Sequence, residues 1–275
     1  MQSAPPAWEG QGTVTVRWGE HTAGELAQAA EDNTLVLLPL GCTEQHAAHL
    51  PVDTDTYQVD RLCVEGAEKA GRTGVGALVL PAIPYGPASE HFGLPGTISL
   101  PNEVYLQLVK HVLWSAIELG FRRLGVVRGC GGHWIVPGVV WDVKADATRA
   151  GRDVVLRLLS VDEDWRATQQ RIFPGTDGGH AAVMETALCL ADRADLVRTE
   201  LMRAPELRML NERYRTGGEA FLFHEMSSTG ALGDPTPATA AGGRAAWDAV
   251  TDAFASRLRG IAEQDSALGR GERRA

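Results

Sequence analysis

Short apolar runs recur along the chain at places that suit buried strands. The most apolar stretch, LVLLPL at residues 35–40, is closed by Pro39 and Gly41 and suits the centre of a parallel sheet better than an exposed edge. Similar β-like runs occupy residues 77–80, 124–127 and 154–159. We therefore predict strands at these four places.

Longer amphipathic segments separate these runs. Residues 102–119 have one apolar stripe, with Asn102 as the predicted cap and Gly120 as the stop signal. Residues 55–69 predict a second helix, and apolar residues recur at helical spacing from 247 to 261. Because strand and helix signals alternate, we predict an α/β fold: a three-layer sandwich with a mostly parallel sheet flanked by helices.

Composition narrows the class of protein. The 275 residues, 44% hydrophobic and 22% charged, fit a single α/β domain over residues 1–275, with residues from about 266 to 275 predicted to be a disordered tail. A net charge of -9 argues against nucleic acid as a partner. The N-terminus lacks a signal-peptide pattern, and no apolar run approaches the ~20 residues of a membrane helix. We expect a cytoplasmic protein that does not bind membranes.

Polar groups with ligand chemistry follow the first predicted strand. Glu44 and His46 are two residues apart, so in extended backbone both side chains point to one side, and Asp55 would arrive from the start of the next helix. The carboxyl edge of a parallel sheet is where ligands bind. The placement suggests a metal site, but the E-x-H pattern alone is a weak signal, because Asp53 and Asp55 also suit helix N-caps and His46 and His49 surface imidazoles.

Two further clusters lie in predicted loops. Glu90 and His91 belong to the long loop at 81–101, whose glycines and prolines suit the wall of a substrate pocket. The segment RGCGGHW, residues 128–134, directly follows a strand, and its Cys130 and His133 are both candidate ligands. Cys42, Cys63, Cys130 and Cys189 are scattered without a C-x-x-C pair, which argues against a disulfide framework or a zinc ribbon.

A fourth cluster, GTDGGHAAVMETAL at residues 175–188, leads into a helix predicted to begin near His180. His180 and Glu185 are five residues apart, so on a regular helix they diverge by roughly 140°. Both can face one cavity if His180 precedes the helix. Each residue also has a structural interpretation when it is considered singly: His180 as a capping or surface residue, and Glu185 as a solvated charge on the helix. The Gly-, Pro-, Ser- and Thr-rich segment at 228–243 predicts a loop.

Together these segments resemble the motifs of the creatininase family. The family pattern GxTEQHGPHLPLxTD is matched by GCTEQHAAHLPVDTD, and SxEHxxFPGTISL by ASEHFGLPGTISL. HAGxxETS is answered by HAAVMETA, and SGVxGDPxxAT by TGALGDPTPAT. The four motifs occur in the family's order and span residues from about 35 to 240.

The resemblance implies a dinuclear divalent-metal site that acts on a C–N bond. It implies that Glu44 and His46 each hold one ion, that Asp55 bridges both, and that a water between the ions becomes the nucleophile. It also implies that His180 is a catalytic acid/base, and that Glu185 is a ligand or a catalytic residue that orients the site. A homo-oligomer, hexameric as in the family, is implied as well.

One motif departs from the family pattern. Where many members have NGHGGN, this chain has RGCGGH, so Cys130 replaces a metal-binding His. A thiolate is a good ligand for zinc and a poorer one for manganese. Four interpretations stay open: Cys130 is a ligand in a zinc-biased site, His133 takes its place as ligand or catalytic residue, Cys130 acts as a nucleophile, or hydrolase activity is lost. Arg128 and Trp134 are candidate substrate contacts, Trp134 also being suited to packing.

We therefore predict a metal-dependent amidohydrolase that uses one or two divalent ions, zinc first and manganese or iron next. Its substrate would be a small amide, a cyclic amide or a peptide-like molecule. The rival hypothesis is a family-derived binding or scaffold protein in a biosynthetic complex that no longer hydrolyses anything.

Overall fold

A computed structural model describes residues 15–160, 162–208 and 220–269. Within them, a parallel sheet has the strand order β2-β1-β3-β4. The strands are β1 (Leu35–Leu40), β2 (Ala77–Val79), β3 (Arg123–Arg128) and β4 (Val155–Leu159). All four predicted strands are confirmed to within one residue at each end.

The helices flank this sheet. They are α1 (Ala23–Glu31), α2 (Thr54–Gly71), α3 (Asn102–Glu118), α4 (Val136–Arg149), α5 (Asp162–Ile172), α6 (Val183–Asp192), α7 (Phe223–Met226) and α8 (Ala240–Gly269). None of the helices in the described ranges is both long and apolar enough to cross a bilayer.

Three helix boundaries differ from the predictions. Helix α6 begins at Val183 rather than near His180, because the backbone at Ala181 is left-handed and at Ala182 extended. Asn102 is the first residue of α3, and Pro101 precedes it. Helix α8 begins inside the predicted loop at 228–243 and continues to Gly269, so it overlaps the predicted tail; residues 270–275 lie outside the described part of the chain.

Alternate residues of β1 face opposite sides of the sheet, as the period of a strand requires. Leu35 and Leu37 belong to a core formed with α2, α6 and α8. Val36 and Leu38 belong to a second core formed with α1, α3 and α4. The predicted three-layer sandwich is confirmed.

The sheet contains a switch point between β1 and β3. Strand β1 leads into α2 on one face, whereas its neighbour β3 leads into α4 on the other face. The two connections therefore separate at the carboxyl edge of the sheet and leave a crevice, which is the usual binding place in such folds.

Two glycines allow α2 to approach this crevice closely. A Cβ at Gly41 would lie 2.4 Å from the Cα of Thr56, and one at Gly129 would lie 2.5 Å from the Cβ of Val59. Only residues without a side chain fit at these points. The close approach brings the first turn of α2, with Asp55, to the strand ends.

Candidate metal centre

Ligand-type side chains converge at this edge of the sheet. Among the described residues they form four overlapping groups, and within each group the candidate ligand atoms lie within 4.8 Å of one another. The groups are Glu44, His46 and Asp55; Glu44, His91 and His180; His46, His180 and Glu185; and Cys42, Glu44 and Cys130. Glu44 is common to three of them, so they form one centre.

His46 is oriented by its own backbone. Its Nδ1 lies 3.1 Å from the carbonyl oxygen of Glu44, so Nδ1–H donates and Nε2 carries the lone pair. That Nε2 lies 3.2 Å from Oδ1 of Asp55 and 3.8 Å from Oε2 of Glu185. A lone pair facing carboxylate oxygens is favourable only with a proton or a cation between them.

Two buried atoms at this point support a cation. His46 Nε2 and Asp55 Oδ2 are both buried and have no hydrogen-bond partner within the described ranges. Burial opposes the charged imidazolium of His46, but Asp55 and Glu185 outweigh it and raise its pKa to about 10. Burial, reinforced by Glu44, raises the pKa of Asp55 to about 6. The donor set of imidazole and carboxylate fits a divalent metal.

Glu185 reaches the same space from the first turn of α6. Its Oε2 accepts a hydrogen bond from the backbone N–H of Ala181 at 2.6 Å, which fixes the carboxylate on the side of His46. Burial raises the pKa of Glu185 to about 7. As the sequence analysis required, His180 precedes the helix, and ligand atoms of His180 and Glu185 lie within 4.8 Å of each other.

Gln45 organises the two remaining imidazoles. His180 Nε2 lies 2.6 Å from the Gln45 carbonyl oxygen and therefore donates to it, which leaves Nδ1 as the lone pair, 3.4 Å from Glu44 Oε1. The Gln45 side-chain amide lies 2.9 Å from His91 Nδ1 and 3.1 Å from the Gly230 carbonyl oxygen, and it donates to both. Burial lowers the pKa of His180 well below its usual value, so this ring is neutral near pH 7.

His91 contributes a hydrogen bond rather than a lone pair. Since Nδ1 accepts from Gln45, Nε2–H points to Glu44 Oε1 at 3.3 Å, and the ring stacks on Phe223 with centroids 4.0 Å apart. Burial disfavours the charged form of Glu44, but His91 and the other imidazoles outweigh it and hold its pKa well below its usual value. Glu44 is therefore a carboxylate ready to bind a cation.

Cys130 lies against Glu44. Its Sγ is 3.2 Å from Glu44 Oε2 and accepts a hydrogen bond from the Gly132 N–H at 3.3 Å. Hydrogen bonding to Cys42, burial and the carboxylates of Asp55 and Glu44 all raise the pKa of Cys130 well above its usual value. A nucleophilic cysteine needs a lowered pKa. This environment does not support the interpretation of Cys130 as a nucleophile.

The other predicted residues lie around the centre. His133 is fully buried and stacks on Tyr105, with ring centroids 5.2 Å apart, and it belongs to none of the four groups of described ligands. The 3-10 turn at Gly131–Ile135 directs it there. The structure therefore gives no geometric support to His133 as the replacement ligand. Trp134 is 71% exposed, and Glu90 lies against Gly132.

Arg128 lines a cavity of about 370 Å³ that reaches Cys130 and Glu185. Its Nη2 donates to Asp162 at 3.2 Å, while its buried Nε has no partner among the residues described. A guanidinium that lines a cavity is suited to binding an anionic or carbonyl group there.

Sequence analysis did not select Cys42 or Gln45. Gln45 lies between two selected residues, and only the folded backbone shows that its amide joins His91 to Gly230. Cys42 follows β1 by two residues and Cys130 follows β3 by two residues, and the strands pair Leu40 with Arg128. The register between β1 and β3 would have identified Cys42 as a neighbour of Cys130, but the sequence alone does not give it.

Ala47, next to His46, has a strained backbone. Its φ is 53°, in the left-handed region that favours glycine. We expect Ala47→Gly to raise the free energy of unfolding by about 0.5–1 kcal/mol, because glycine removes the Cβ clash. Chemical denaturation would measure this. Ala48, the next residue, has no positive φ, and Ala48→Gly should lower stability through the unfolded chain. Equal effects of both changes would argue against strain at Ala47.

Comparisons with known proteins converge on one family. The sequence profile of the creatininase family, described as creatinine amidohydrolase, matches residues 19–258. The mycofactocin precursor peptide peptidase of Mycobacterium tuberculosis strain H37Rv is 35% identical over 251 residues, covering 87% of this chain and 90% of the peptidase. The creatinine amidohydrolase of Pseudomonas putida is 30% identical over 196 residues, covering 66% and 71%.

Solved structures agree at the level of the fold. A mutant creatininase superimposes with a TM-score of 0.79 at 23% identity, covering 90% of this chain and 99% of that chain. A manganese form of creatininase gives a TM-score of 0.73 at 23% identity, with the same coverage.

Proposed function

Because the chain belongs to the creatininase family, we propose that it is a divalent-metal-dependent hydrolase of a C–N bond outside ordinary peptide bonds. The observation that carries this proposal is the pair of buried atoms without partners, His46 Nε2 and Asp55 Oδ2, inside a cluster of ligand-type side chains. Unpaired buried polar atoms are costly, and a cation would satisfy both.

The ligand atoms suit one or two ions. From the contacts of Cys130 with Glu44 and of His46 with Asp55 and Glu185, we propose that Glu44, Asp55 and Cys130 would hold the first ion, and that His46, Asp55 and Glu185 would hold the second. We propose zinc where Cys130 contributes sulfur, with manganese or iron as alternatives in the second position. A bound divalent ion supplies Lewis acidity that activates a water molecule and polarises the scissile carbonyl.

His180 is the proton carrier in this proposal. Its Nε2–H is fixed by the Gln45 carbonyl oxygen, and its neutral ring leaves Nδ1 free to accept a proton from the attacking water. The same nitrogen then protonates the leaving nitrogen of the substrate. Gln45 and His91 keep Glu44 and His180 in position through their hydrogen bonds.

A peptide-like substrate is supported better than creatinine. Identity to the precursor-peptide peptidase is higher and extends further than identity to the creatinine amidohydrolase. A second, open cavity of about 970 Å³ borders His91 beside Phe92 and Leu222, which leaves room for a substrate larger than creatinine. Arg128 would bind an anionic or carbonyl group of the substrate from the cavity next to Cys130.

We also propose a homo-oligomer, hexameric as the family resemblance implies. Trp134 and Trp141, near the start of α4, are 71% and 75% exposed, and large exposed aromatic side chains are typical of interaction surfaces. Light scattering should give a mass several times that of one chain, and a monomer at micromolar concentration would contradict this part of the proposal.

Metal removal tests the proposed function. We expect purified protein to carry about one to two divalent ions per chain and to hydrolyse a peptide-like amide. Dialysis against a chelator should abolish hydrolysis, and added Zn²⁺ should restore it, because the buried carboxylates and imidazoles cannot activate water without the ion. Hydrolysis that survives complete metal removal would contradict the proposal. A protein that binds no metal would favour the scaffold alternative.

A further inference from the structure

We infer that Cys42 is a second thiolate ligand, so that Cys42, Cys130 and Glu44 together form a sulfur-rich half of the centre that selects zinc. This inference rests on the proposed function, since it concerns the same centre. It assigns a chemical difference between the two halves: sulfur and carboxylate on one side, imidazole and carboxylate on the other.

The strand register brings the two thiols together. Leu40 of β1 pairs with Arg128 of β3, and the Gly129 N–H donates to the Leu40 carbonyl oxygen at 2.8 Å. Cys42 lies two residues after Leu40, and Cys130 lies two residues after Arg128. The two cysteines therefore lie beside each other at the same depth in the crevice. The pairing is thus a consequence of the parallel sheet rather than of a local turn.

The distances suit a tetrahedral ion. The two sulfur atoms and a Glu44 carboxylate oxygen lie within 4.8 Å of one another, and Cys130 Sγ is 3.2 Å from Glu44 Oε2. Zinc–sulfur bonds of about 2.3 Å in tetrahedral geometry require ligand atoms about 3.8 Å apart. Small side-chain rotations would therefore bring these three atoms to the spacing that zinc requires. Each thiol would release its proton to solvent as it binds the ion.

Core packing does not account for Cys42. Buried cysteines commonly act as small apolar core residues. Cys63 and Cys189 fit that role, because each belongs to a hydrophobic core cluster. Cys42 is also fully buried, yet it lies outside the hydrophobic clusters found in the described ranges. Its sulfur instead faces the carboxylate of Glu44 and the thiol of Cys130.

The donor atoms of the two halves favour different ions. Soft sulfur ligands favour zinc, whereas the imidazole and carboxylates around His46 also suit manganese or iron.

Cobalt substitution tests the inference without an activity assay. Metal-free protein would be titrated with Co²⁺, because thiolate ligands give intense near-ultraviolet charge-transfer absorption whose strength follows the number of sulfur ligands. We expect Cys42→Ala and Cys130→Ala each to lose about half of this absorption, and the double variant to lose all of it. Cys63→Ala, a buried cysteine in the core, is the matched control and should keep the wild-type spectrum.

The outcomes separate the two proposals. Wild-type intensity in Cys42→Ala would overturn the second thiolate. Bound cobalt without any thiolate band would overturn the sulfur-rich half while leaving the proposed hydrolase intact, whereas no cobalt binding at all would overturn the proposed function. If Cys42→Ala does not fold, X-ray absorption on the zinc-loaded wild-type protein decides: two sulfur atoms at about 2.3 Å support the inference, and one or none contradicts it.

Discussion

Replacing Asp55 with Asn is expected to remove most of the bound metal and to lower metal affinity by more than about 100-fold. Loss of a residue that only hydrogen-bonds to a metal ligand already lowers metal affinity by about 10–100-fold. Asp55 is 3% exposed, its Oδ1 lies 3.2 Å from His46 Nε2, and its buried Oδ2 has no hydrogen-bond partner among the described residues. An amide at this position keeps the shape but loses the charge that a bridging ligand supplies. Metal analysis and kcat/KM would measure the effect.

The fold should tolerate this change. The Asp55 carboxylate lies close to Glu44 and 3.2 Å from His46 Nε2, and burial, followed by Glu44, raises its pKa to about 6. Replacement by Asn relieves the repulsion with Glu44 but also removes the attraction to His46, so the melting temperature of the metal-free variant should change little. The matched control is Asp53→Asn: Asp53 is about half exposed and pairs with Arg193 at 3.0 Å. Full metal in Asp55→Asn, or equal loss in both variants, would contradict the bridging role.

Gly243→Ala is expected to lower the free energy of unfolding by about 2–3 kcal/mol. A Cβ at Gly243 would lie 1.8 Å from the carbonyl oxygen of Ala187, so α6 and α8 would have to move apart. Because α6 carries Glu185, we also expect weaker metal binding. Urea denaturation measures the first effect, and metal titration the second.

Gly260→Ala, in the same helix, provides the control. Nothing lies within 4 Å of a Cβ at Gly260, so alanine should stabilise α8 by up to about 1 kcal/mol through its higher helix propensity. The two substitutions are chemically identical and differ only in their surroundings. Destabilisation of similar size in both variants would show that helix propensity, rather than the contact with Ala187, governs the result.

The fold was predictable because its determinants are local. The apolar run at Leu35–Leu40 and its three counterparts each contain the pattern of a buried strand, and the helices between them force parallel pairing. The start of α6 was mispredicted because glycines at 178 and 179 and the left-handed Ala181 delay the helix, and Ala181 carries no turn signal of its own.

The centre was predictable only in part. Glu44, His46 and Asp55 follow one strand, so proximity along the chain indicated their proximity in space. Cys42 and Gln45 make contacts with residues far away in sequence, and these contacts depend on the strand register and on the paths of the loops. The strain at Ala47 did have a signal, since the family motif has glycine at that position and this chain does not.

Anomalous X-ray diffraction from crystals of the metal-loaded protein tests the central claim most directly. With data collected on both sides of the zinc absorption edge, we expect a peak between Glu44, Asp55 and Cys130, and, where a second ion is bound, another between His46, Asp55 and Glu185. Ions found only at other places on the protein, with no peak among these side chains at full metal loading, would contradict the assignment of this crevice as the catalytic metal centre.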